Sequence, residues 1–373
     1  MEIDKELMTK IYDLRRRLHS IPEASMHEMR TKAVLMSFLR ENTDLEIVDR
    51  GAWFYAVLKS SDDRIWDEER TPIAFRVDMD AVCGQDGKPG HYCGHDGHSS
   101  ILCGAAVWLS RAMEKCGNTH RDVYFIFQPG EETGNGANAM IADGCLENPH
   151  TDFIVGLHAG SIAPHDWPAG TFGYYPGAFM SFLDSWQCTI AGKGGHGAFP
   201  SLAVDPVLIA ARVIDAWQSL VSREQSATKP MVLSVCKVRT PGAAFNIIPE
   251  TCVLSGTARA LSEEERCRIK ERMRKMAELI AEASGAKAEL VWTRGAANLV
   301  NDPEATAEVV AIGRELFGDE AFLRVLLPTT GGEDFAGYLL KGPGTFLLMY
   351  TPSSHGPTPQ HSPRFEIDDG ILW

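Results

Sequence analysis

The chain has 373 residues, 44% hydrophobic and 23% charged, an ordinary globular balance over a length that suits roughly two domains. Its 36 basic and 50 acidic side chains leave a formal net charge of −14, which argues against nucleic acid or an anionic membrane as partner. No stretch approaches the ~18 apolar residues of a membrane span, and Met1-Glu2-Ile3-Asp4-Lys5 lacks a signal peptide's basic start and apolar core, so with nine irregularly spaced cysteines a cytoplasmic protein is expected.

In chain order, Leu7, Ile11, Leu14 and Leu18 fall on one face of a first helix that Pro22 closes, and a second helix is predicted over 27–40. The charged segment 60–71 reads as an exposed hairpin or loop. Strand and helix signals then alternate, the α/β pattern. An apolar run over 72–77 ends in Asp78-Met79-Asp80, and a helix is predicted over 99–113. Runs over 123–127, 153–157 and 346–350 read as buried strands.

The middle of the chain has another rhythm. It reads as a half-buried strand over 185–190, an amphipathic helix over 205–222, and strands over 231–238 and 251–258. Ser262-Glu263-Glu264-Glu265 is a capping box that opens a helix to Ser284, with Gly285 as its C-cap, and 287–293 is a last strand. The order β-α-β-β-α-β is the split βαβ, ferredoxin-like unit. The expected fold class is α/β. A domain with a mixed central sheet flanked by helices spans 1–180 and 295–373, and a ferredoxin-like α+β domain is inserted over 181–294.

The most informative stretch is Cys93-Gly94-His95-Asp96-Gly97-His98. A thiolate and an imidazole two residues apart, among glycines, can both reach one metal ion, and both are strong ligands for zinc and its first-row neighbours. Glu131-Glu132, His158 and His361 each follow an apolar run that reads as a strand. Open α/β sheets bind ligands at the C-terminal ends of their strands. Scattered ligands that include carboxylates suggest a catalytic site rather than a structural metal clip. The other histidines, His19, His27, His91, His120, His150, His165 and His355, read as surface or satisfied core residues. Cys103, Cys116, Cys145, Cys188, Cys236, Cys252 and Cys267 read as small buried side chains.

Nine motifs occur in a familiar order: Asp78-Met79-Asp80-Ala81, the 93–98 cluster, Gly130-Glu131-Glu132, Gly156-Leu157-His158, Gly192-Lys193-Gly194-Gly195-His196, Asn246-Ile247-Ile248-Pro249, Gly256-Thr257-Ala258-Arg259, Gly332-Glu333-Asp334-Phe335 and His361. Together they resemble the amidohydrolase branch of the metallo-aminoacylase/carboxypeptidase family, which includes hippurate hydrolases, N-acetyl-amino-acid deacetylases and plant auxin-conjugate hydrolases. The resemblance runs from the first helix to the last loop. It implies a two-metal catalytic domain and a smaller lid domain, here the 181–294 insertion, that joins two chains in a homodimer.

By resemblance, Cys93, His95, Glu132, His158 and His361 hold two divalent ions (Mn, Zn, Co or Ni), and Glu131 is the general base for a metal-activated water. Asp80 would orient a ligand imidazole from behind, and Asp78 would be structural where other branches place a ligand His. Asp96 and His98 would support the cluster or cap a helix, without being ligands. His196 would reach across the dimer to the partner's site as an oxyanion donor, and Asn246 and Arg259 would bind the substrate carboxylate.

The expected function is metal-dependent hydrolysis of the amide bond of a small N-acyl-L-amino acid or similar conjugate. The alternatives are a dipeptidase or aminopeptidase on the same ions, and a noncatalytic metal-dependent binding protein. Segment 83–90 and Tyr92 depart from the branch's usual residues near the cleft, and Ser99 stands where Thr is usual. Acyl-chain preference therefore does not carry over.

Overall fold

The computed structural model describes residues 4–60, 72–84, 86–116, 121–148, 150–160, 167–242, 244–351 and 360–372. The readings of 61–71, His120, His165 and His355, and of the Cys116 side chain, lie outside the described residues.

The main helices are α1 (Lys5–His19), α2 (Met29–Asn42), α3 (His95–Cys116), α4 (Gly136–Ala142), α5 (Pro206–Ser222), α6 (Glu263–Glu282) and α7 (Pro303–Phe317). The strands used below are β1 (Glu46–Asp49), β2 (Phe54–Leu58), β3 (Ile73–Asp78), β4 (Val123–Gln128), β5 (Phe153–Gly160), β6 (Phe172–Tyr174), β7 (Asp184–Ala191), β8 (Met231–Arg239), β9 (Thr251–Ala260), β10 (Lys287–Arg294), β11 (Phe322–Arg324) and β12 (Gly344–Tyr350). Among the described residues, no helix is long and apolar enough to cross a membrane.

Local chemistry sets several helix starts. Asp4 caps α1 by accepting from Leu7 N at 2.7 Å, and Leu7, Ile11, Leu14 and Leu18 are buried as their spacing predicts. Asp205 caps α5, whose first residue is Pro206, and Ser262 Oγ accepts from Glu265 N to open α6. Helix α3 starts at His95, four residues before the predicted start. The first turn is polar, so apolar periodicity does not reach it. A tight turn makes the early start: Gly94 has φ of +93°, and its carbonyl accepts from Gly97 N and His98 N. A Cβ at Gly94 would also lie 2.5 Å from Ile367 Cδ1, so both backbone and space require glycine there.

The chain forms two compact units. The first comprises Met1–Gly177, Val300–Leu327 and Asp334–Trp373; the second comprises Ala178–Leu299 and Pro328–Glu333. The first unit holds an eight-stranded mixed sheet in the order β1-β2-β4-β3-β5-β12-β6-β11. Its centre, β4-β3-β5-β12, is parallel, with antiparallel neighbours at β1, β2 and the β12–β6 pair. Leu14, Leu18, Val34, Leu35 and Leu39 of α1 and α2 pack with Phe54, Phe125 and Phe127 of the sheet and Leu102 of α3. At about 25 cal/mol per Å² of apolar surface removed from water, such layers dominate the stability of the unit.

In the second unit the sheet order is β8-β9-β7-β10, antiparallel throughout, which is the strand order of the split βαβ unit. Trp186, Ile190, Trp217, Leu254 and Met273 lie in its core beneath α5 and α6. Buried Asp184 pairs with Arg266 at 2.5 Å and accepts from Trp292 Nε1 at 2.9 Å, joining the start of β7 to α6 and β10.

Two readings change. Strand β5 runs on to Gly160, so His158 lies inside the strand rather than after it, because β12 keeps pairing beside it as far as Tyr350 opposite Gly160. Cys236 and Cys267 are exposed, not buried, whereas Cys103, Cys145, Cys188 and Cys252 are buried. Cys236 is the extra residue at the Val235–Lys237 register shift of β8, where the strand becomes exposed, and Cys267 is on the solvent side of α6, its thiol 3.4 Å from Glu263 Oε1.

Candidate metal centre

The groups singled out in the first unit converge. Cys93 leads into α3, His95 opens it, Glu131 and Glu132 follow β4, and His158 sits in β5. The donor atoms of Cys93, His95 and His158 lie within 4.8 Å of one another, as do those of Cys93, Glu132 and His361, and those of His95, Glu131 and Glu132. Cys93 belongs to the first two triads and so links them. Cys93, His95, His158 and Glu131 are buried, Glu132 is half-buried and His361 is exposed.

His95 and His158 each have one ring nitrogen held and the other turned inward. His95 Nδ1 is 3.1 Å from Asp80 Oδ1, which leaves Nε2 3.7 Å from Glu132 Oε1 and 4.0 Å from Glu131 Oε2. His158 Nδ1 lies 3.0 Å from the Ala159 carbonyl, and its Nε2 lies 3.4 Å from Cys93 Sγ. His361 Nε2 is 3.3 Å from Glu132 Oε1, and its backbone N donates to the Tyr92 carbonyl at 2.7 Å. His361 has φ of +62°, a left-handed conformation unusual for a residue with a Cβ, and strain of this kind clusters at functional sites.

The donors fit a divalent ion. Among the described residues, His95 Nε2 and Glu132 Oε1 are buried and make no well-aligned hydrogen bond, the nearest charged contact of Glu132 Oε1 being His361 Nε2 at 3.3 Å; that is a costly state for polar atoms unless a cation takes up their lone pairs. A thiol, three imidazoles and a carboxylate are the donor types of a zinc, manganese, cobalt or nickel site.

Electrostatics agree with this. Burial, and then the Glu132 charge, push the Cys93 thiol well above its usual range, so Cys93 needs a cation to become a thiolate. Burial and the neighbouring His98 hold His158 well below the usual imidazole range, which keeps it neutral and able to ligate. For His95, burial acts downward but Asp78, Cys93 and the Asp80 bond outweigh it and draw protons in. A bound cation would reverse that balance. Burial also acts upward on Asp80, but the His95 hydrogen bond, the His95 charge and donation from Ser25 hold it below its ordinary value.

Asp78 and His98 stand behind the centre. His98 Nε2 accepts from Ala159 N at 2.8 Å and its Nδ1 is 2.6 Å from Asp78 Oδ1. That pattern sets the Nδ1 proton towards Asp78 and spends the Nε2 lone pair on the Ala159 N–H, leaving none for a metal. It braces the backbone beside His158. Asp78 also receives Arg76 Nη1 at 3.1 Å, while Arg76 Nε donates to Gln128 Oε1 and its Nη2 to Asp334 Oδ1, both at 2.8 Å. Sequence reasoning gives Arg76 no role and Asp334 only a place in the Gly332–Phe335 motif. The available signal was an arginine inside an apolar strand run, since a buried guanidinium requires acidic partners.

Three predicted residues lie in the second unit. His196 is exposed, its Nδ1 accepts from Ala198 N at 3.1 Å and its ring is 5.4 Å from that of Phe199. Asn246 is exposed, and its carbonyl accepts from Gly197 N at 2.8 Å. Arg259 is half-buried near the end of β9, and its Nη1 donates to the Asp184 and Ala258 carbonyls and to Thr257 Oγ1.

Known proteins share this chain's pattern over its whole length. An N-acetylcysteine deacetylase of Bacillus subtilis is 34% identical, over 99% of this chain and 94% of its own length. The IAA-amino acid hydrolase ILR1-like 2 of Arabidopsis thaliana is 30% identical, over 98% of this chain and 83% of its own. Among solved structures, the Bacillus subtilis YXEP protein, described as a dinuclear metal-binding peptidase of the M20 family, superposes with a TM-score of 0.80 at 29% identity, over 99% of this chain and 95% of its own. The family described as peptidase family M20/M25/M40 matches residues 74–371. The chain therefore belongs to peptidase family M20/M25/M40 and is a metal-dependent hydrolase of that family.

Proposed function

We propose that the protein removes the acyl group from an N-acyl-L-amino acid or a similar conjugate, at two divalent ions held by Cys93, His95, Glu132, His158 and His361. The observation that carries this reading is the pair of buried atoms His95 Nε2 and Glu132 Oε1, 3.7 Å apart beside Glu131 and, among the described residues, without a hydrogen bond. Relatives named as a deacetylase and an IAA-amino acid hydrolase support the substrate class.

When bound, such ions lower the pKa of water towards about 7 and polarise an amide carbonyl. Glu131 then takes the water's proton and returns it to the leaving amine. Asp80 holds the His95 ring through Nδ1, so that Nε2 stays a lone-pair donor. Arg259 and Asn246 supply the polar contacts for the substrate's free carboxylate. The second unit acts as a lid through which two chains form a homodimer, and His196 serves the partner's site as an oxyanion donor. The nine irregularly spaced cysteines suit the cytoplasm.

Release of free amino acid from N-acetyl, N-benzoyl and dipeptide substrates, with and without Mn, Zn, Co or Ni, tests the reading. Metal-dependent release from the N-acyl compounds, above that from dipeptides, is expected. Preference for dipeptides would identify a peptidase. Metal binding without turnover of any substrate would leave a metal-dependent binding protein.

A further inference from the structure

The segment between α1 and α2 takes no part in the chemistry above, yet it touches the carboxylate turn after β4 from two sides. Ser25 Oγ donates to Asp80 Oδ2 at 2.6 Å, and the same oxygen accepts from Glu132 N at 3.0 Å. Glu28 is 5% exposed, and its Oε1 accepts from both Gly130 N and Met26 N at 2.8 Å. The segment is itself anchored. Ala81 N donates to the Glu23 carbonyl at 2.8 Å, and Glu23 Oε2 accepts from Thr31 N of α2 at 2.8 Å.

The backbone at this junction is unusual on both sides. Met26 has φ of +67° and Gly130 of +68°, and a Cβ at Gly130 would lie 2.5 Å from Met26 Sδ. A left-handed methionine thus packs against a left-handed glycine, and one carboxylate oxygen bridges their amides. A non-glycine residue keeps such a conformation only where its surroundings over-determine it. The partners of Glu28 given above are backbone N–H groups; burial first, and the Asp80 charge as well, push its carboxyl up to about 7. Burying this group costs stability that apolar packing would not. What it secures is the position of the residue immediately before Glu131.

We infer that residues 23–28 form a positioning strap, in which Ser25 and Glu28 hold turn 130–132 so that Glu131 and Glu132 keep their aim. Neither residue touches the donor cluster directly; each acts through another group, Ser25 through Asp80 and Glu28 through Gly130 N. The inference rests on the roles proposed for Glu131 and Glu132. Small displacements of a catalytic group are costly, since an error of about 1 Å can lower a rate about 100-fold.

The chemistry of Glu28 supplies its own control. Both hydrogen bonds end on Oε1, so a glutamine carbonyl can accept both, and alanine can accept neither. In the metal-loaded protein, Glu28→Ala is expected to lower kcat about tenfold or more, with KM within about twofold and metal content retained. Amides in 129–134 should exchange faster with deuterium in Glu28→Ala while the rest of the chain keeps its protection. Glu28→Gln should keep kcat within about threefold of the parent and retain the exchange pattern. Ser25→Ala should lower kcat about threefold while staying folded, with at most a small loss in urea midpoint from the lost hydrogen bond, and it carries the test if Glu28→Ala does not fold.

Folded Glu28→Ala with parental kcat and parental exchange would overturn the strap. So would Glu28→Gln as impaired as Glu28→Ala, or an unchanged kcat in Ser25→Ala. If the parent hydrolyses none of the substrates, the functional reading fails, and exchange at 129–134 still decides the strap.

Discussion

The two units carry their candidate residues in opposite settings. In the first, His95 and His158 are buried, each with one ring nitrogen held by a neighbour and the other aimed at the centre, and buried Asp80 holds His95 from behind. In the second, His196 and Asn246 are exposed, and Phe199, Leu202, Phe245 and Ile247 beside them in the chain are exposed as well. The side-chain contacts of His196 named above are both close along the chain, Ala198 N and the Phe199 ring. A cluster fixed by its own unit has its geometry before any ligand arrives. An exposed histidine among exposed apolar side chains gains such definition only when something covers it. Substitutions in the first unit should therefore act within one chain, and in the homodimer proposed above those at His196 should act on the partner.

The largest effect separates the units most sharply. Glu131→Gln should lower turnover by about 10²–10⁴-fold, with folding and metal content nearly unchanged, because only the general base is lost. Activity within a few-fold of the parent would remove Glu131 from that role. Next is His196→Ala, with an expected loss of about 10²–10³-fold. Mixed with Glu131→Gln, it should recover roughly a quarter of parental activity, since random exchange leaves one intact composite site in mixed dimers. Demonstrated subunit exchange with no recovery would place His196 outside the partner's site.

Asp80→Asn should weaken metal affinity about 10–100-fold, because the carboxylate behind His95 sets the tautomer and raises ligand basicity. A chelator competition that reads parental affinity would show that His95 is oriented by other contacts.

The smallest effect concerns stability alone. Glu28 has its folded pKa raised from 4.5 to about 7 by burial first and by Asp80. Its contribution is therefore fully present below about pH 4.5 and is lost as pH rises through about 7. In metal-free protein, the urea midpoint of Glu28→Gln should gain on the parent's between about pH 5 and about pH 7 and hold a constant lead above that. A lead independent of pH would mean that Glu28 does not change its charge there.

The chain's own order made much of this legible. Apolar periodicity located α1 and α5, because side chains that repeat at 3.6 residues share a buried face, while continuous apolar runs located the central strands and the Ser262 capping box located α6. The Cys93–His98 run and the Glu131-Glu132 pair marked the candidate metal centre, because thiolate, imidazole and carboxylate together have few other uses. Asp78 reads as structural from the sequence, and its bonds to Arg76 and His98 accord with that.

Tertiary structure decided the rest. His158 lies inside β5 because β12 continues beside it, a pairing nearly 200 residues away that no local pattern encodes. The start of α3 depends on a left-handed Gly94 pressed by Ile367, and the tautomer of His98 on Ala159 N and Asp78. Ser25 and Glu28 carried no signal, since a serine and a glutamate before a helix ordinarily face water. Their meaning comes from Asp80 and Gly130, which only the folded chain brings within hydrogen-bond reach. Sequence determined which chemical groups are present and in what order, because residue type and spacing are local properties. The fold decided which nitrogen, oxygen or sulfur of each group is free to act, because that depends on partners distant along the chain.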